Sequence, residues 1–151
     1  MKITERLAQL GIELPMPIAP LGTYRTVSVS GNQVYVSGLA AFENGQPIVG
    51  LVGDDITLER AQRAARLTML LILASVDKEC GLDTIERCTR LTVYVRAVAS
   101  FTQHPLIANG ASDLLRDLFG ADKLPARSAL GVHTLPRGIP VEIDSIFELK
   151  R

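Results

Sequence analysis

The spacing of apolar residues switches along this chain between the two-residue period of strands and the roughly 3.6-residue period of helices, which constrains the fold strongly. Alternation typical of strands is found in segments 25–36, 42–49, 88–98, 129–134 and 141–149. A helical period covers 57–79 and 107–119. The order strands, helix, strand, helix, strands predicts an α+β fold in which two helices cover one face of a single mixed sheet. The other face is then free for a second subunit.

Turn and capping residues stand at the ends of these segments. Gly31-Asn32 and Asn44-Gly45 are typical of tight hairpin turns. The run 54–57 ends in Thr57 and can cap the long helix at its N-terminus, while Gly81 and Gly120 stop the two helices. These signals agree with the apolar periods, and each predicted element therefore has a defined beginning and end.

The N-terminal residues differ in character from the rest of the chain. Residues 2–10 fit a short amphipathic helix, and three prolines within 14–20 predict an extended arm. We therefore expect a single domain over 1–151, with 1–20 forming this helix and arm and 21–151 forming the core. The charged N-terminus has no secretory h-region, and the longest apolar run, 67–76, is too short to span a membrane. A cytoplasmic location without membrane contact is predicted.

Charge and cysteine content exclude several function classes. Sixteen basic and sixteen acidic residues give a formal net charge of zero, without a basic cluster, so a nucleic-acid partner is not expected. Cys80 and Cys88 form no CxxC pair and, with His104 and His133 far apart, make no metal-ligand set. We expect both cysteines to be reduced, structural thiols.

Arg127 and Glu142 are the candidates for chemistry. Arg127 follows a Leu-Pro-Ala run at the junction of a loop and a strand, where its guanidinium can bind a carboxylate or a phosphate through two hydrogen bonds. Glu142 shares a strand face with Asp144 and Glu148, and it can orient or deprotonate a water. Both also fit simpler interpretations, a surface ion pair for Arg127 and a solvated acidic face for Glu142. His133 is interpreted as a structural strand residue and His104 as an exposed loop residue.

Several short motifs, taken in order, resemble the Rid (reactive intermediate deaminase, YjgF-type) family over residues 18–149. The C-terminal part of the resemblance consists of Leu124-Pro125-Ala126-Arg127-Ser128, then Leu135-Pro136, then residues 141–146. The upstream part consists of Gly22-Thr23-Tyr24, Val34-Tyr35-Val36-Ser37-Gly38, the strand in 83–95 and Asn109.

The resemblance implies a chorismate-mutase-like (YjgF-like) fold assembled as a homotrimer with an inner β-barrel. It implies hydrolysis of reactive enamine and imine acids, such as 2-aminoacrylate, to 2-keto acids and ammonia, without a metal or organic cofactor. Arg127 would bind the substrate carboxylate and Glu142 would position the attacking water, in a cleft shared between chains. Tyr24, the backbone near Ser37-Gly38, and Asn109 would bind the substrate.

Some positions depart from the family pattern and leave alternatives open. Ala129 and Gly131 stand where family deaminases often carry Cys and Glu, and Arg25 follows Tyr24 where a small residue is common. Arg25 could narrow the pocket or favour a more acidic ligand. A trimer that binds small carboxylate metabolites without turnover is the alternative to the enzyme. An endoribonuclease, the family's older label, is a further alternative that the neutral charge disfavours.

Overall fold

The computed structural model describes residues 1–151 and contains the predicted order of strands and helices. The helices are α1 (Ile3–Gln9), α2 (Leu58–Cys80) and α3 (His104–Phe119). The strands are β1 (Val27–Ser30), β2 (Gln33–Ala40), β3 (Phe42–Glu43), β4 (Gln46–Pro47), β5 (Ile85–Arg96), β6 (Ala126–Val132) and β7 (Val141–Leu149). Both predicted hairpins are present, as β1–β2 and β3–β4.

The main sheet has the strand order β1-β2-β7-β5-β6. Strand β6 runs parallel to β5, and all other neighbours are antiparallel. Since β2 and β5 both pair antiparallel with β7, they run in the same direction with β7 between them, and α2 connects them as a split βαβ unit. Helix α3 makes the crossover between the adjacent parallel strands β5 and β6. The predicted mixed α+β sheet is confirmed.

Helices α2 and α3 pack against each other and on the same face of the sheet. Helix α2 begins where the Thr57 hydroxyl accepts a hydrogen bond from the Arg60 backbone N–H (3.1 Å) and ends at Gly81. Small residues allow a close approach: a Cβ on Gly110 of α3 would collide with the backbone carbonyl of Gln62 in α2. The short helix α1 lies against α3.

The two faces of the sheet differ in burial. On β7 the buried residues alternate with half-buried ones that include Glu142, Asp144 and Glu148, and the buried apolar side chains belong to one core cluster with the helices. No helix covers the face that carries these acids, which we call the open face. The predicted placement of Glu142 on this face is confirmed.

The structure corrects both histidine predictions. His104 is the first residue of α3 and is half-buried, with its ring edge-to-face against Phe101 (centroids 5.2 Å apart), whereas an exposed loop residue was expected. His133 is exposed and lies just outside β6. Strand β6 pairs in parallel with β5 over Ala126–Val132, so the strand contains Arg127 and ends before His133.

None of the helices combines the length and apolar character needed to cross a membrane.

Candidate active site

A cavity of about 530 Å³ lies between the N-terminal arm, the β3–β4 hairpin, α2, and the facing parts of β2 and β7. It is lined by four of the residues predicted to form the site: Tyr24, Ser37, Gly38 and Glu142. The remaining lining is mainly apolar. The cavity therefore combines a small polar region on the strands with apolar walls, as ligand sites commonly do.

Glu142 is the acidic group of this cavity. It pairs in register with Ala40 of β2 and Tyr94 of β5, and its side chain is half-buried. A Cβ at position 38 would lie 3.0 Å from the Glu142 carboxyl carbon, so the glycine leaves room for this carboxyl group. Burial, and secondarily the charge of Asp144, raises the pKa of Glu142 above its ordinary value. A carboxyl group with a raised pKa is suited to exchanging a proton with water or substrate.

Tyr24 and Ser37 are fixed by hydrogen bonds to the backbone around the cavity. The Leu21 N–H donates to the Tyr24 hydroxyl (3.2 Å), and the Ser37 hydroxyl donates to the Arg25 carbonyl (2.7 Å). The pairing of β2 with β7 shifts register between Val36 and Leu39, so residues 37–38 have no partner in β7. Such irregularities are common beside active sites because they free backbone groups from the ladder.

Arg127 lies elsewhere, in the edge strand β6. Its Nη1 donates to Asn109 Oδ1 (2.7 Å) and Ser112 Oγ (3.1 Å), and its Nη2 donates to the Pro105 carbonyl (3.4 Å). Because a guanidinium has five N–H donors, Nε–H and one Nη2 proton remain free for a carboxylate. The structure thus brings Arg127 and Asn109 together. Ser112 was not predicted, although its spacing of three residues from Asn109 on a helix is the signal that could have identified it.

Within one chain the sheet separates Arg127 from Glu142. Arg127 is in register with Leu91 of β5, which is fully buried on the helix-covered face. Glu142 is in register with Tyr94 of β5, which lies on the open face and donates a hydrogen bond to Asp144 (2.8 Å). The predicted site residues therefore form two groups on opposite faces, one around Arg127 and one around Glu142, and they do not meet in a single chain.

Arg137 is the guanidinium that shares the cavity with Glu142, and sequence reasoning did not identify it. It is exposed, forms no ion pair, and has a left-handed backbone (φ 58°), which is uncommon for a residue other than glycine. A surface Arg in a loop gives no sequence signal for such a position. Arg25, expected to narrow the pocket, lies outside this cavity and is within 3.9 Å of Glu79.

The structure accounts for one of the departures from the family pattern. Gly131 is in register with Val95, on the helix-covered face that also carries Arg127. A Cβ at Gly131 would lie 2.7 Å from His104 Nε2. The imidazole of His104 therefore occupies space that a side chain at position 131 would need.

The cysteines and other potential metal ligands lie apart from this chemistry. Cys80 and Cys88 are both free thiols, and burial raises the pKa of Cys88 to about 12. The chain holds no group of three or more His, Cys, Asp or Glu side chains arranged to bind a metal ion. The titratable groups that remain near the cavity are Glu142, Tyr24 and Arg137.

Comparison with known proteins places the chain in a family. The family model described as "YjgF/chorismate mutase-like, putative endoribonuclease" matches residues 4–138. The chain belongs to this family. Among its relatives, Protein TCP17 of Trypanosoma cruzi is 38% identical over 151 residues, covering 98% of this chain and 94% of that protein. The crystal structure of Atu1372, a protein of unknown function from Agrobacterium tumefaciens, is 38% identical with a TM-score of 0.88, covering 98% of this chain and 92% of that one.

A more distant YjgF-family relative has an enzymatic name. The 2-iminobutanoate/2-iminopropanoate deaminase of Dermatophagoides farinae is 28% identical over 141 residues, covering 92% of this chain and 95% of that protein. Family membership and fold, predicted from the motifs, are thereby confirmed for this chain.

Proposed function

We propose that this YjgF-family protein hydrolyses reactive enamine and imine acids to 2-keto acids and ammonia. The proposal rests on the hydrogen bonding of Arg127. Asn109 and Ser112 hold its guanidinium, and two of its N–H donors are still free for a carboxylate. Glu142, with its raised pKa, supplies the second group that the reaction needs. The name of the Dermatophagoides relative supports this reaction class.

A complete site requires a second copy of the chain, because the two groups lie on opposite faces of one sheet. In the proposed homotrimer, the edge strand β6 of one subunit would meet the cavity of its neighbour. Arg127 would then hold the substrate carboxylate near the partner's Glu142. The uncovered open face, where Tyr35 is 46% and Leu130 39% exposed, offers apolar surface for such an assembly.

The proposed hydrolysis uses no protein side chains other than Arg127 and Glu142. The enamine takes a proton from solvent at its β-carbon and becomes an iminium, the protonated imine. Water, oriented by the Glu142 carboxylate, adds to the imine carbon while its proton passes to Glu142. That proton returns to the amino nitrogen, and ammonia leaves as the C=O bond of the keto acid forms and the hydroxyl proton passes to solvent. Because the imine is already electrophilic, positioning by Arg127 accounts for much of the acceleration.

The test is release of ammonia and keto acid from 2-aminoacrylate generated in situ by a serine dehydratase. Arg127→Ala and Glu142→Gln should each abolish the acceleration seen with the wild type. Matched controls are Arg116→Ala, an α3 arginine paired with Asp113, and Glu148→Gln on the same strand face as Glu142. Wild-type activity in both controls is expected. No acceleration by folded wild type would refute the proposal for this substrate.

Binding without turnover is the second candidate, favoured by Ala129 and by Gly131, whose space is taken by His104. Calorimetric binding of 2-ketobutyrate, lost in Arg127→Ala, combined with no hydrolysis of any imine, would select this function. An RNA-cleavage assay on the same samples tests the activity in the family description. Cleavage that disappears in Arg127→Ala would replace the deaminase proposal.

A further inference from the structure

The N-terminal arm (residues 13–21) forms one wall of the Glu142 cavity. Ile18 and Leu21 line the cavity on this side, and Leu71 of α2 with Phe42 of β3 contributes to the apolar lining. Nine of the seventeen lining residues are hydrophobic; among the polar ones, Ser37 comes from β2 and Glu142 from β7, and Tyr24 and Arg137 come from loops. The cavity therefore has a polar side on the strands and an apolar side on the arm and α2.

The arm is held in place before any ligand binds. The Ile12 N–H donates to the Leu7 carbonyl (2.9 Å), and Ile12 and Leu14 pack against the core. Prolines within 15–20 restrict the backbone between these contacts and the cavity. At its far end the Leu21 N–H is bonded to the Tyr24 hydroxyl. Such a preorganised wall contributes to binding at little entropic cost.

The size of the cavity exceeds what the smallest imino acids fill. Its volume of about 530 Å³ falls within the range of about 300–1,000 Å³ that holds drug-sized ligands. A substrate with a methyl side chain would leave the apolar wall in contact with water. Leu21, which lines the cavity and is 65% exposed in the single chain, offers apolar surface that a larger side chain would cover.

We infer that the preferred substrate is a 2-imino acid with a bulky apolar side chain, branched aliphatic or aromatic, and that Ile18 and Leu21 of the arm determine this preference. The inference rests on the proposed deaminase function, since it assigns the substrate class to the same site. The imino carboxylate would lie toward the strands and Arg127 of a neighbouring copy, and the side chain would lie between the arm and α2.

The test compares imines generated by D-amino-acid oxidase and catalase from D-leucine, D-phenylalanine and D-alanine, with semicarbazide trapping as the readout. The wild type should act on the two larger imines with a specificity constant about tenfold or more above that for the alanine-derived imine. The double variant Ile18→Ala/Leu21→Ala should lose most of this ratio, through a larger loss of activity on the two larger imines than on the alanine-derived imine. Leu10→Ala, an exposed leucine that does not line the cavity, should keep the wild-type ratio.

The outcomes separate this inference from the deaminase proposal. Equal or greater activity on the alanine-derived imine, or a ratio unchanged in the double variant, overturns the inference while the deaminase stands. If no imine is hydrolysed, calorimetry with 4-methyl-2-oxopentanoate and pyruvate tests the size preference of the pocket without turnover. Tighter binding of the larger keto acid, weakened in the double variant, supports the pocket assignment, and equal binding of the two refutes it.

Discussion

At the scale of single residues, the contact between Gly131 and His104 makes a prediction about stability. A Cβ at position 131 would press on an imidazole that is held by Phe101, so Gly131→Ala should destabilise the fold by about 1–3 kcal/mol. With His104→Ala in the same chain the space opens. Gly131→Ala should then be neutral or stabilising, by up to about 1 kcal/mol, because alanine restricts the unfolded chain. Urea unfolding of the four proteins of this double-mutant cycle measures the coupling. Additive effects would show that the two residues do not compete for space.

The raised pKa of Glu142 makes a second prediction, this one about pH. Since the folded-state pKa lies above the unfolded value, the folded protein holds this proton more tightly, and stability falls as pH rises through the folded pKa. The glutamine in Glu142→Gln is neutral at every pH. The free energy of unfolding of this variant should therefore exceed that of the wild type at pH 7.5, and the difference should disappear near pH 4. The measurement is urea unfolding at both pH values. Glu148→Gln loses an ion pair with Arg87 and should be slightly less stable than wild type at pH 7.5. A Glu142→Gln variant that is less stable at pH 7.5 would contradict the assigned burial effect.

At the scale of elements, the contact between α2 and α3 depends on Gly110. In an isolated helix Gly→Ala is favourable by about 1 kcal/mol. Here the added methyl group would meet the Gln62 carbonyl, which belongs to a helix backbone and cannot move alone. Gly110→Ala should therefore destabilise the protein by about 1–3 kcal/mol, opposite in sign to its helix propensity. Thermal and urea unfolding give the sign. A stabilised variant would show that the helices separate without cost.

The elements also show what sequence can predict. The long segments of one period predicted α2 and β7 because burial on one face imposes the period directly, and the turn residues Gly31-Asn32 and Asn44-Gly45 predicted the two hairpins. The start of β6 at Ala126 was missed because it is set by pairing with β5, which sequence periodicity does not reveal. Arg127 and Glu142 were predicted as a pair from the family motifs. Their placement on opposite faces depends on the register of β6 and β7 against β5, and the strand order places β5 between their strands.

The contacts of Arg127 show the same limit at the site. Substrate binding by Asn109 stays a prediction; the sequence did not reveal that its side-chain oxygen accepts a hydrogen bond from Arg127. Arg137 gave no sequence signal because its position depends on a left-handed turn at the cavity. Residue types and the family motifs therefore identified the candidate groups, and the three-dimensional arrangement of the sheet determined which of them meet.

At the scale of the whole molecule, the separation of the two groups makes the assembly part of the proposed site. A chain that held Arg127 and Glu142 together would work as a monomer. In this chain the two side chains point away from each other across the sheet, so the proposed reaction needs at least two copies. In a cyclic assembly each site would then take Arg127 from one subunit and Glu142 from the next.

Subunit mixing tests this arrangement. Arg127→Ala and Glu142→Gln should each be inactive alone. Unfolding and refolding them together in equal amounts should restore activity, because in a randomly mixed cyclic assembly about a quarter of the sites would draw both intact residues from different chains. The activity should reach about a quarter of that of the wild type refolded in the same way. Mixing without refolding is the control and should recover activity only as fast as subunits exchange. If native mass spectrometry shows mixed oligomers but no activity returns, Arg127 and Glu142 must act within the same chain or not at all, and the shared site is wrong.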